Sequence, residues 1–243
     1  MDKLTQQILT HCQKEYPNEA CGFVIGDKFY PCKNVADNPQ ETFVIAEKEW
    51  RPEIEVVVHS HPNNEPFLSG ADRISQARSG LEWWLICKNQ LKKYRYAPLL
   101  RGREFKYGKT DCCSIIEDVF MLMGIFDTQF PRTNEQDDIK NQAILHYLEQ
   151  AGFEQVSTQS QGLTLAQAGD VILTSIQGVA NHASFYLGNE KILHHPMFGL
   201  SRVEKLGGIF HKAIHSIWRH PDFKPEMMTA VFNDLEASDL WQQ

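Results

Sequence analysis

The 243-residue chain reads as an α/β unit followed by an α+β unit. Three observations predict this. Residues 1–97 run helix, hairpin, strand, helix, strand, which is a small α/β layout. Residues 98–220 place helical periodicity first and short apolar strands afterwards, as α+β folds do. Ala97-Pro98 and a basic connector from Leu99 to Phe105 separate the two. No repeat relates the halves, and no low-complexity segment interrupts them.

Asp2 to Tyr16 predicts an amphipathic helix with Leu4, Ile8, Leu9 and Cys12 on one face, stopped by Pro17. Cys21 to Gly26 and Lys28 to Cys32 predict a hairpin turning at Gly26-Asp27. Thr42 to Ile45 and Ile54 to Val58 are strand candidates. Ser69 to Ser79 is helical, ended by Gly80. Glu82 to Cys87 is a buried strand, and Tyr94-Arg95-Tyr96 finishes the unit. In the second half, Ile115 to Met123 and Asn134 to Gly152 predict helices. Val171 to Ile176, His182 to Leu187, Lys191 to His194 and Ala213 to Trp218 predict strands. From Pro221 to residue 243 the chain turns polar and acidic and reads as a loose tail.

Hydrophobic residues make up 42% and charged residues 23%, the proportions of a soluble globular chain. A net charge of −7 argues against nonspecific nucleic-acid or anionic-membrane binding. No run reaches transmembrane length, and Met1 to Thr5 opens no signal peptide. The expectation is folding in cytosol, without nucleic-acid partner or membrane segment. The six cysteines, 12, 21, 32, 87, 112 and 113, form no CxxC pair. In a reducing compartment they stay as thiols.

Two stretches carry chemistry. In His59-Ser60-His61, strand alternation puts both imidazoles on one face. The helix opened by Ser69-Gly70-Ala71-Asp72 can return a carboxylate to the same point. Ser69 and Asp72 also have the spacing of an imperfect capping box, which is compatible with ligation. Two His, one carboxylate and an open position form the ligand set of a catalytic zinc site. In the second half, Cys112 stands where a loop turns into a helix, and a helix N-terminus favours thiolate. His182 opens one strand and His194 ends the next. A turn at Gly188-Asn189-Glu190 makes those strands antiparallel and the two His neighbours. His194 and His195 alternate faces, so at most one points at Cys112. Cys113 is a rival nucleophile on sequence grounds.

The spacing His-x-His-x7-Ser-x2-Asp, with Pro17-Asn18-Glu19-Ala20-Cys21-Gly22 upstream, resembles the JAMM/Mov34 (MPN) metallopeptidases. That resemblance implies a mixed sheet with helices and zinc held by His59, His61 and Asp72. It further implies Glu19 as acid/base and Ser69 as oxyanion donor. Tyr107-Gly108 before Asp111-Cys112, then Gly169-Asp170-Val171, then His-x3-Tyr-Leu-Gly from His182, resemble the NlpC/P60 cysteine peptidases, whose fold is papain-like. By that resemblance Cys112 is the nucleophile, His182 the base and His194 the orienting residue, with Tyr107 near the thiolate or oxyanion. Cys113-Ser114 departs from the usual Ser-Gly; the family position, directly after Asp, favours Cys112.

The two units in this order are similar to a family of phage tail-tip proteins of lambda-like siphophages. The resemblance implies a peptidoglycan hydrolase cutting stem peptides, typically between D-glutamate and a diamino acid. It implies other tail tip proteins as partners, with assembly in the host cytoplasm and a place at the virion tail tip. Two further readings stand beside it. One is an assembly protein with inactive or assembly-only sites. The other, ranked last, is a JAMM-type isopeptidase that leaves the second half without a role.

Overall fold

The computed structural model describes residues 2–158 and 162–241, which divide into two compact units, Met1–Ala97 and Pro98–Gln243. In the first, Asp2 accepts from the Thr5 N–H and caps α1 (Lys3–Glu15). Ile8 and Leu9 of α1, flanked by Leu4 and Cys12, pack on Val24, Val56, Val58, Trp84 and Ile86 of the sheet. Each such large side chain taken out of water contributes about 1.5–3 kcal/mol.

That sheet comprises β1 (Cys21–Ile25), β2 (Lys28–Cys32), β3 (Val56–Ser60), β4 (Glu82–Cys87) and β5 (Gln90–Tyr94), in the order β2-β1-β3-β4-β5. β3 and β4 run parallel, and the other neighbours are antiparallel. The parallel pair needs a crossover, supplied by α2 (Gly70–Ser79). Gly80 ends α2 in the left-handed conformation, as expected. Gly22 is obligatory, because a Cβ there would lie 2.5 Å from the Tyr30 carbonyl oxygen.

Three expectations shift here. β3 begins two residues later than Ile54 and continues to Ser60, so His59 is inside the strand. Thr42 to Ile45 forms no strand; Ile45 makes one isolated bridge to Asn34. β5 extends from Gln90, where only its end was legible.

The second unit begins with α3 (Cys112–Leu122), capped reciprocally by Asp111 and Ser114. The helix expected over Asn134 to Gly152 is two helices, α4 (Glu135–Lys140) and α5 (Ala143–Gln150). Gln142 breaks them with φ of 50°, the left-handed region that no helix tolerates. An antiparallel sheet follows: β6 (Glu154–Thr158), β7 (Val171–Ile176), β8 (Val179–Gly188), β9 (Lys191–His194), β10 (Arg202–Lys205) and β11 (Ile214–Arg219). Its order is β10-β9-β8-β7-β11-β6. A short α6 (Gly208–Ala213) precedes β11. Ile172, Tyr186, Ile192, Leu206, Ile214 and Ile217 form one apolar layer of this sheet, and α3 packs against β8.

The expected loose tail is corrected. Met228–Trp241 is a helix, α7, which buries Met228, Val231, Asp234, Ala237 and Ser238. Asp234 accepts from the Leu100 N–H at 2.7 Å, so an acidic residue serves as a buried acceptor. Residues 242 and 243 of that stretch lie outside the described residues.

Candidate functional site

In the first unit, β3 delivers His59 and the residue just past its end delivers His61. The His61 N–H donates to the Ile86 carbonyl at 2.9 Å, which prolongs the pairing beyond the strand. Asp72 sits in the first turn of α2. The two His Nε2 atoms are 3.1 Å apart, and they lie 3.4 Å (His59) and 3.3 Å (His61) from Asp72 Oδ2. A tetrahedral ion bonded at about 2.0–2.1 Å requires ligand edges of about 3.3–3.4 Å, so these spacings suit zinc. His61 Nδ1 faces the Glu65 carbonyl oxygen at 2.9 Å. A carbonyl only accepts, so the proton sits on Nδ1 and Nε2 keeps its lone pair for a metal. His59 is fully buried, stacked on Phe43 and edge-on to Trp83, and burial lowers its pKa. Burial alone would raise Asp72, but His59 and His61 outweigh it and hold the carboxyl well below the usual range.

Glu19 precedes β1 and is 3% exposed. Burial, reinforced by Asp72 and opposed by His61, pushes its carboxyl up to about 7. Its backbone is held by a residue that the sequence did not single out. Asn34 Nδ2 donates to the Glu19 carbonyl at 3.0 Å, while its Oδ1 accepts from Ala36 and Val44. Ser69 and Asp72 form a full capping box. The Ser69 hydroxyl donates to Asp72 Oδ2 at 2.8 Å and accepts from the Asp72 N–H at 3.1 Å. The oxyanion donor expected at Ser69 is therefore engaged with the acidic member of the cluster.

In the second unit Cys112 is the first residue of α3, with Cys113 next, and both are half-buried. His182 lies on β8 and His194 ends β9. Ser184 is opposite His194 in register, so His182, two residues earlier, shares its face. His182 Nε2 is 2.9 Å from His194 Nδ1. The Cys112 thiol is drawn well below the usual range by hydrogen bonding from Cys113 and, against burial, from His182. Cys113 is pushed the other way by the same bond to Cys112 and by burial. The two adjacent thiols are thus coupled, with the lowering on Cys112, which His182 also contacts. His195 turns away into a T-shaped contact with Phe105.

Tyr107 does line the cavity at Cys112, but its hydroxyl donates to Asp138. The hydroxyl expected near the thiolate or oxyanion is engaged by the Asp138 carboxylate in this structure. Arg132, missed by the sequence reading, lines the same cavity. It bonds Glu117 at 2.6 Å and lies 3.7 Å from Asp111, the cap of α3. Glu204 was also missed; its Oε1 is 2.9 Å from His194 Nε2. Neither residue has a motif around it. Asp170 is structural, with both oxygens on Arg219 at 2.7 and 2.8 Å.

Comparison with known proteins agrees with both motif sets. Residues 1–98 match the prokaryotic homologs of the JAB domain, and residues 102–219 match the NlpC/P60 family. Tail tip assembly protein K of Escherichia phage lambda is 38% identical over 194 residues, 79% of this chain and 95% of that relative. The protein of the same name from Escherichia phage N15 is 26% identical, spanning 91% of this chain and 96% of its own. A crystal structure of an NlpC/P60 family protein from Bacillus cereus ATCC 10987 overlaps 87% of this chain, and the chain spans 66% of it. The identity there is 11% and the TM-score 0.33. The chain belongs to the family of tail tip assembly protein K, with a JAB domain ahead of an NlpC/P60 domain.

Proposed function

We propose that this chain is a tail tip assembly protein whose second unit is a cysteine endopeptidase for the stem peptides of bacterial peptidoglycan. Its first unit is a zinc-dependent peptidase. The observation that carries the reading is the thiol of Cys112 at a helix N-terminus beside the His182–His194 pair. Its relatives' names, tail tip assembly protein K, support other tail tip proteins as partners and an association with the virion tail tip; assembly in the host cytoplasm belongs to the same proposal. Among the described residues no helix is long and apolar enough to cross a membrane.

In the second unit, His182 takes the Cys112 proton and the sulfur attacks the scissile carbonyl. The N–H groups opening α3 donate toward the oxyanion. The C–N bond breaks as His182 returns the proton to the leaving amine. Water, deprotonated by His182, then releases the acyl group from sulfur. Tyr107 and Arg132 shape the wall of the cavity.

In the first unit His59, His61 and Asp72 would hold the zinc. When bound, zinc supplies acidity to a coordinated water and polarises a carbonyl. Glu19 takes the proton of the attacking water and delivers it to the leaving amine. Its raised pKa suits a group that must both accept and donate near neutral pH. Ser69 exchanges Asp72 for the oxyanion as acceptor.

Digestion of purified peptidoglycan tests the assignment, with the bond cut identified by mass spectrometry. Cys112→Ala and a thiol alkylator should abolish stem-peptide cleavage, whereas a zinc chelator should leave it. Cleavage that survives Cys112→Ala and stops with chelator would move wall hydrolysis to the JAB unit. No cleavage under any condition would favour an assembly protein with silent sites.

A further inference from the structure

We infer that Glu204 is a positioning residue that fixes the proton direction along the His182–His194 pair, leaving His182 Nδ1 able to accept from Cys112. The inference rests on the proposed Cys112–His182 chemistry and adds a fourth member to it.

A neutral imidazole has one donor and one acceptor nitrogen. Two facing imidazoles are therefore ambiguous. In one state His182 Nε2–H donates to His194 Nδ1, and His182 Nδ1 keeps its lone pair. In the other, His194 Nδ1–H donates to His182 Nε2. The proton of His182 then sits on Nδ1, and the ring cannot accept from a thiol on that side. The 2.9 Å separation fits both states.

Glu204 breaks the tie. Its Oε1 lies 2.9 Å from His194 Nε2, and an ionised carboxylate only accepts. His194 Nε2 is buried and meets no in-line acceptor among the described residues. The Glu204 carboxylate, 2.9 Å away but off the ring N–H axis, is the negative group within reach, and its charge favours a proton on that nitrogen. The proton of His194 then resides on Nε2. Nδ1 must accept, His182 must donate from Nε2, and His182 Nδ1 is free for the Cys112 proton.

The sheet explains why Glu204 is there. Arg202 pairs directly with His194, and Glu204 pairs with Ile192, so Glu204 shares the face of His194 one diagonal step away. Arg202 Nε donates to Oε2 at 2.7 Å. The carboxylate is thereby split, one oxygen held by Arg202 and the other left for His194. Arg202 also keeps Glu204 ionised, since its hydrogen bond opposes the partial burial of the carboxyl. Burial, and then His182, hold His194 neutral.

The test uses the full chain labelled with ¹⁵N-histidine. Long-range proton–nitrogen correlations read each tautomer. The rate of iodoacetamide alkylation at Cys112 at pH 7 reads the base, with the site resolved by peptide fragmentation. In wild type both His182 and His194 should carry the proton on Nε2. Glu204→Ala should give mixed tautomers and slow alkylation by roughly tenfold or more, because loss of an orienting group typically costs 10–100-fold. Glu204→Gln should fall between, since a neutral amide presents oxygen or nitrogen. Arg202→Ala should keep wild-type tautomers, because Oε1 remains. Unchanged tautomers and an alkylation rate within about twofold of wild type in Glu204→Ala would overturn the inference. If wild-type Cys112 alkylates no faster than an ordinary thiol, the Cys112–His182 reading fails instead, while the tautomer spectra still decide the role of Glu204.

Discussion

Replacing Asp72 by Ala removes one carboxylate oxygen with two duties. Oδ2 accepts from the Ser69 N–H and hydroxyl at 2.8 Å each, and it faces both His59 and His61. Loss of a cap of this kind costs about 0.5–2 kcal/mol. For a chain of this length that is a melting shift of about 1–8 °C, at roughly 2–4 °C per kcal/mol. The metal effect is larger. Removing groups that merely orient ligands lowers metal affinity about 10–100-fold, so deleting one of three protein ligands should exceed ~100-fold. Ser69→Ala is the control. It loses the hydroxyl at the cap but keeps the ligand oxygen, so its affinity should fall by no more than ~10–100-fold. Zinc content after chelator-free purification, and competition titration, measure the metal affinity. Melting in the presence of chelator measures the loss of the cap. Wild type should carry about one zinc per chain. Asp72→Ala that still carries one would refute the ligand assignment. Ser69→Ala that loses zinc as completely as Asp72→Ala would show that the cap, not the ligand, was decisive.

Glu19→Gln should retain zinc and lose the activity of the first unit. In wild type that activity should decline as pH falls through about 7, because the raised carboxyl is then protonated and cannot accept; a flat profile below neutral pH would count against Glu19 as base. Asn34→Ala should leave zinc content near one but lower the activity of the first unit, because the Glu19 carbonyl, the Pro39–Thr42 loop and Val44 lose a common side chain. Unfolding in urea should cost about 1–3 kcal/mol, and an unchanged midpoint would dismiss the clamp. Gly169→Ala should destabilise by several kcal/mol, combining a φ of 97° with a Cβ placed 2.2 Å from the Phe223 ring. A melting curve within 1 °C of wild type would contradict that.

Much of the molecule was legible for a physical reason. Chemistry that depends on short spacings stays local. Two imidazoles on one strand face, and a thiol at a helix start, need only a few residues each. The strands that escaped notice share another property. β5, β6 and β10 all lie at sheet edges. An edge strand is paired on one side and half-solvated, so its sequence is polar, as in Gln-Leu-Lys-Lys-Tyr or Arg-Val-Glu-Lys. Neither alternation nor an apolar run marks it. α7 escaped for a related reason. Its acidic composition suggested solvent, yet Asp234 is buried because the Leu100 N–H, far away in sequence, needs an acceptor.

The same division runs through the two sites. Groups that would react with substrate, such as Glu19, Cys112 and His182, sit in recognisable motifs. Apart from His194, the groups that aim them do not. Asn34 reaches Glu19 from a loop, Arg132 reaches Asp111 from the segment before α4, and Glu204 reaches His194 from an edge strand. Each needs only to place one polar atom within about 3–4 Å of its target. Many backbone routes satisfy that requirement, so no fixed spacing records it. A reacting group has far less freedom, because its neighbours must also supply a helix start or a strand end. This predicts a hierarchy within the cysteine site. Cys112→Ala should end catalysis, His182→Ala should leave at most a residue of it, and Glu204→Ala should lower the rate while leaving substrate binding in place. An equal loss at all three positions would mean that aiming and reacting cannot be separated here.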